Sequence, residues 1–129
     1  MEEKELPKSL DETYDFLIQE KFDGLKEWLK LDVDSALSQA HHGLGAWVRN
    51  NLILWEEKGQ LKQWFRDNYF LDHADDISSI ILINFHQRIN GIIPDLEKEA
   101  NKFHKHWEKC IPDYKLQLRK FKLNKLNKL

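Results

Sequence analysis

His41, His42, Arg49 and Asn50 bring imidazole, guanidinium and amide groups together in one short stretch, AHHGLGAWVRNN. At about 100° per residue, His41, Gly45 and Arg49 fall on one line of a helix, and His42, Ala46 and Asn50 on the next. A helix so built carries a groove floored by Gly45 and Ala46, with Trp47 at its edge. An arginine fork grips a carboxylate or phosphate through parallel bonds, and a neighbouring histidine can add a proton near neutral pH. The chemistry this points to is recognition of a small anion or of a partner's acidic group. A competing reading needs no ligand: His and Asn cap a kink while Arg49 pairs with an acid such as Glu56 or Glu57. Histidine base catalysis requires a positioned nucleophile or water, which sequence proximity does not supply, so no catalytic residue is assigned.

A second polar cluster is Asp72-His73-Ala74-Asp75-Asp76, followed by His86 and Arg88. His73, Asp75 and Asp76 are further candidate ligand-binding residues. In one arrangement Asp75 or Asp76 orients a ring of the His41-His42 pair in a shared pocket. Their spacing matches no specific metal signature, and aspartates at a helix start serve as caps. His104 and His106 lie two residues apart and cannot share one helix face squarely. No metal and no cofactor are expected. The HHGLG segment lacks both the dinucleotide and the P-loop glycine patterns. Cys110 follows Trp107 on an apolar seam and reads as a small buried hydrophobe.

These groups need a scaffold, and 129 residues make one domain's worth. The composition, 41% hydrophobic and 33% charged, is that of a globular chain. A net charge of -2 argues against wholesale nucleic-acid binding, yet the charge is uneven. Residues 1–34 hold eleven acidic side chains and five Lys, whereas residues 113–129 hold Asp113 against five Lys and Arg119. The two ends could attract each other or mark different partners. The single cysteine excludes an internal disulfide and suits a reducing compartment. With no amino-terminal signal pattern, and no apolar run near the roughly 20 residues that span a bilayer, a cytoplasmic protein is expected.

The apolar periodicity predicts an all-α, compact single-domain multi-helix bundle with a long, Pro-interrupted C-terminal helical region. Ser9 and Glu12 have capping-box spacing before a helix over 10–20, and Leu25, Trp28 and Leu29 mark a short second element. Asp32 or Asp34 caps the stretch 34–55, whose Leu37, Leu44, Val48, Leu52 and Trp55 share a face. Gly43 and Gly45 each cost about 1 kcal/mol of helix propensity, so this helix is either continuous or broken there. If it is broken, free N–H groups at Leu44–Trp47 open a new helix and an anion seat. Leu61, Trp64 and Phe65 make the next helix, and the apolar series from Ile77 to Ile89 predicts a buried helix over 75–90. Pro94 is placed in the first turn of a helix along Leu96, Ala100, Phe103, Trp107 and Cys110. Pro112 divides a helical domain, 6–111, from a basic amphipathic tail, 112–129, read either as a frayed helix or as disordered.

The segments AHHGLGAWVRNNLILW and LKQWFRDNYFLDHADDISSIILINFHQRING together resemble a family of small bacterial and phage-associated proteins known only as a domain of unknown function. The resemblance covers Leu6 to Ile93. It rests on His42, Gly43, Leu44, Gly45, Trp47, Arg49, Asn50, Asn51, Trp55, His73, Asp75 and Asp76, and implies that the two segments form one unit, with no activity attached. Similarity to Fic-type AMP-transferases is superficial, because their acidic-Gly-Asn-Gly-Arg core is absent. The expected function is therefore non-enzymatic binding of a small anionic ligand or of a partner's acidic group at His41, His42, Gly45, Trp47, Arg49, Asn50, His73, Asp75 and Asp76. One alternative is a protein-interaction module, or self-association, through residues 114–129. The other is a phosphoryl- or nucleotidyl-group enzyme using His and Asp.

Overall fold

The computed structural model describes residues 6–52, 54, 56 and 58–128. Trp55, assigned above to the apolar face, and Glu57, a possible partner of Arg49, lie outside the described residues. Among those described there are eight helices and no strand: α1 (Leu10–Glu20), α2 (Leu25–Leu29), α3 (Val33–Ala40), α4 (Leu44–Asn51), α5 (Gln60–Tyr69), α6 (Ala74–Ile89), α7 (Leu96–Cys110) and α8 (Tyr114–Asn127). No described helix is long and apolar enough to cross a membrane.

The fold is organised by α6, not by the His-Arg stretch. Ile77, Ile80, Ile81, Leu82, Ile83 and Phe85 are all buried, and so are Ser78, Asn84 and His86. A helix buried nearly all round along its middle must sit inside, and α6 is contacted by α1, α3, α4, α5 and α7. The β-branched run Ile80–Ile83 is therefore helical because tertiary burial overrides local strand propensity.

Local signals set the other helices. Ser9 caps α1, its Oγ accepting from Glu12 N at 3.3 Å, and Asp32 caps α3 by accepting from Ser35 N at 3.1 Å. The stretch 34–55 is broken: α3 ends at Ala40, and α4 starts at Leu44 after Gly43 N–H donates to the Ala40 carbonyl at 3.1 Å. Asp95 caps α7 by accepting from Lys98 N at 3.1 Å, which leaves Pro94 just ahead of that helix rather than in its first turn.

Two expectations for the C-terminal third change. Cys110 is exposed, its Sγ 3.8 Å from His106 Nε2. The buried seam of α7 runs instead through Ala100 and His104, because His104 Nε2 donates to the Tyr69 carbonyl at 2.8 Å and turns that face inward. Residues 114–127 form a helix that packs back on the body, with Tyr114 and Leu118 buried and Phe121 stacked on Phe70 at 5.2 Å.

Candidate functional site

Arg49 joins the two polar clusters. It projects from α4 under α6 and is only 7% exposed. Its Nη2 donates to the His41 carbonyl at 2.9 Å and its Nη1 to Ser78 Oγ at 3.3 Å, while Nε lies 3.3 Å from Asp75 Oδ1. One guanidinium thus ties the frayed end of α3 to the first turns of α6. Gly45 makes room for it. A Cβ at that position would stand 2.8 Å from the Ala40 carbonyl oxygen and 3.1 Å from Arg49 Nη1. The line His41, Gly45, Arg49 is therefore not an open groove: Gly45 and Arg49 are buried beneath a neighbouring helix. His41 and His42 remain exposed, their rings edge-on at 4.7 Å, and Asn50 is exposed.

Trp47 turns the other way. It packs on Phe22 at 4.9 Å and Phe16 at 6.2 Å, and lines a cleft of about 440 Å³ with Trp28 and Leu44. His86 and Arg88 are remote from the aspartates in function. The buried His86 ring meets Trp28 edge-on at 4.9 Å, and neither ring nitrogen has a hydrogen-bond partner among the described residues. Arg88 lies 3.9 Å over the Tyr14 ring and pairs with Asp11 at 3.1 Å.

The remaining candidates, His73 and Asp76, sit on a cavity of about 480 Å³. The α5–α6 corner supplies one wall, with Arg66, Phe70, Asp72, His73 and Asp76, and the α7–α8 hairpin supplies the other, with Trp107, Tyr114 and Phe121. His73 stacks on Trp107 with centroids 3.8 Å apart and planes 10° from parallel. Trp107 Nε1 donates to Asp76 Oδ2 at 2.8 Å. No described residue donates to Oδ1. Burial pushes the Asp76 carboxyl above the usual range, opposed by the Trp107 bond and the nearby His73. The Tyr114 hydroxyl, which has no hydrogen bond to a described residue, is pushed up to about 12 by burial, with the charge of Asp76 adding to it. Arg66, at the rim, pairs with Asp72.

Phe70 holds this wall at a backbone cost. It closes α5 in the left-handed region, φ 53°, which bulky side chains rarely adopt. Its packing against Phe121 and Tyr114 keeps it there. Asp76 and His73 are legible in the sequence as polar candidates, but their aromatic surroundings are not, because Trp107, Tyr114 and Phe121 belong to a segment that reads as helix end and tail. The available signal was the aromatic spacing Tyr114–Phe121 on one helix face.

Asp75 and Asp76 therefore divide their work: one neutralises Arg49, the other faces a cavity. No imidazole is hydrogen-bonded to either among the described residues, and no described group of three or more His, Cys, Asp or Glu could hold a metal. No curated protein and no solved structure matches the chain. The model of one family, a domain of unknown function (DUF6794), matches residues 6–89, which carry Arg49, Gly45 and both aspartates and make up more than half of the chain; the protein belongs to that family.

Proposed function

We propose that the protein is a non-enzymatic binding protein whose ligand is a small organic cation with an apolar body, held between the α5–α6 corner and the α7–α8 hairpin. The observation that carries this reading is Asp76: a half-buried carboxyl in a wall of aromatic rings, with one oxygen fixed by Trp107 and no described residue donating to the other. Keeping an acid in such a place disfavours its charged form, and an incoming ammonium group offsets that cost. Trp107, Tyr114 and Phe121 line the cavity with apolar surface that a ligand's body would bury, one face of Trp107 being covered by His73 and one face of Phe121 by Phe70.

The sign of the ligand follows from where the charges are engaged. Arg49, on which recognition of an anion depends, already has its nitrogens directed at Asp75, Ser78 and the His41 carbonyl. Arg66 is met by Asp72. Among the described residues Asp76 is the carboxyl at the cavity that forms no ion pair, with His73 the nearest basic group acting on it. Titration with phenethylamine and phenylacetate, which share a ring and differ in charge, tests the reading by ligand-observed NMR. The amine should bind, the acid should not, and Asp76→Asn should weaken the amine by roughly tenfold or more. Preference for the acid, or amine binding that is indifferent to Asp76→Asn, overturns it.

A further inference from the structure

The α7–α8 hairpin and the rest of the chain are opposite in charge. Residues 96–129 carry ten Lys and Arg against four acids, whereas residues 1–95 carry ten against eighteen. Within α8 itself there is no acid. Tyr114 and Leu118 are buried, and Lys125 turns toward the body, its Nζ donating to the Asn68 carbonyl at 2.6 Å. The opposite face is left to solvent, and Leu116, Leu123 and Leu126 stand on it at 53%, 52% and 61% exposure. At about 100° per residue Arg119 falls among these leucines, with Lys115 and Lys122 on one flank and Lys120 on the other, all four exposed. Glu108 and Asp113 border the groove on the flank of Lys115 and Lys122 and offset that pair. Arg119 and Lys120 form no ion pair with a described residue.

Leucines and cations mixed on one exposed helix face fit a layer that is anionic at its surface and apolar just below it. A packed partner helix fits less well, because it would bury the Arg119 guanidinium in the seam between Leu116 and Leu123. A headgroup layer keeps that guanidinium among phosphates, while the lysine stems lie over the apolar boundary and their ammonium groups reach water. A nucleic acid would engage the cations and leave the leucines idle. We propose that the outer face of α8 docks the protein on a membrane surface rich in anionic lipid, with the helix lying in the plane of the interface and its three leucines at the boundary between headgroups and acyl chains. The acidic remainder of the molecule is repelled by the same surface, so contact is confined to this hairpin.

Co-sedimentation of the full-length protein with vesicles tests this. It should bind vesicles of equal parts phosphatidylcholine and phosphatidylglycerol, bind phosphatidylcholine alone about tenfold more weakly or worse, and loosen as salt rises. The pair Arg119→Glu with Lys120→Glu should weaken binding to the anionic vesicles by about tenfold or more. The pair Leu116→Gln with Leu123→Gln keeps the charge and the helix propensity, and should also weaken it by about tenfold. All four side chains are exposed, so both variants should keep the helical circular dichroism of the wild type. Absence of vesicle binding, or equal binding to the two kinds of vesicle, overturns the proposal. So does binding that the leucine pair leaves intact, which would make this face a site for any polyanion, DNA included.

Discussion

Arg49 and Gly45 behave as one device at the scale of the residue. The guanidinium closes three gaps at once, but Asp75 is well exposed, with 60% of its side chain accessible, so water screens the ion pair and the larger contribution comes from the buried bonds to Ser78 and the His41 carbonyl. Arg49→Met keeps much of the volume and removes the donors. It should cost about 1–3 kcal/mol, read as a lower urea midpoint at unchanged slope. At Gly45 two effects compete. Alanine favours a helix by about 1 kcal/mol, but its Cβ would press on backbone that cannot easily yield, 2.8 Å from a carbonyl oxygen. Overpacking costs about 1–3 kcal/mol, so Gly45→Ala should destabilise; a rise in melting temperature would show that α3 and α4 can separate freely. Asp76 runs the opposite way. Its carboxyl titrates higher folded than unfolded, so its favourable contribution is full below the unfolded value of 3.8 and is lost as pH rises through the folded value. Asp76→Asn should therefore raise the melting temperature at neutral pH, with the gain shrinking in acid, while weakening the amine. Stability gained together with binding lost is the signature of a residue kept for a ligand rather than for the fold.

At the scale of the element, the helices that read clearly from the chain are those whose own residues decide them. Ser9 and Glu12 mark the start of α1, and the apolar run from Ile77 to Ile89 marks α6. The break at Gly43 was legible as an alternative, because glycine weakens a helix without saying whether tertiary contacts will cross the gap. What was not legible was which face of each helix meets another helix. Arg49 looked outward because periodicity assigns one apolar face, whereas α4 is covered by α6 on its polar line as well. Likewise, α7 turns on His104 rather than Cys110, and a hydrogen bond to a carbonyl 35 residues earlier leaves no local trace. That bond has a pH consequence. Burial holds the His104 imidazole below its ordinary 6.5, despite the Tyr69 carbonyl, so the unfolded chain takes up the proton first. The contribution of His104 to stability is complete above that value and falls as pH drops from 6.5 toward the folded value. His104→Gln should flatten this part of the pH–stability curve. An unchanged slope would place the proton elsewhere.

For the whole molecule, the question is whether residues 112–129 are an appendage to a domain or a wall of it. The family match ends at residue 89, and α6 gathers the main core within that span, together with Ala100 from α7. Helix α8 nevertheless buries Tyr114 and Leu118 and stacks Phe121 on Phe70. Two large side chains at about 1.5–3 kcal/mol each come to roughly 3–6 kcal/mol, a large share of the 5–15 kcal/mol that holds a typical domain together. An appendage could be deleted with no thermal cost. A wall could not: a chain ending at Ile111 should keep the helical signal of α1 to α6 yet melt on the order of 10 °C lower. The same truncation strips Tyr114 and Phe121 from the cavity, so phenethylamine binding should disappear even at temperatures where the shortened chain is folded. Retained amine binding with a lowered melting point would mean that α5, α6 and α7 hold the ligand unaided. Retained binding with an unchanged melting point would make residues 112–129 the separate tail that their composition alone suggests.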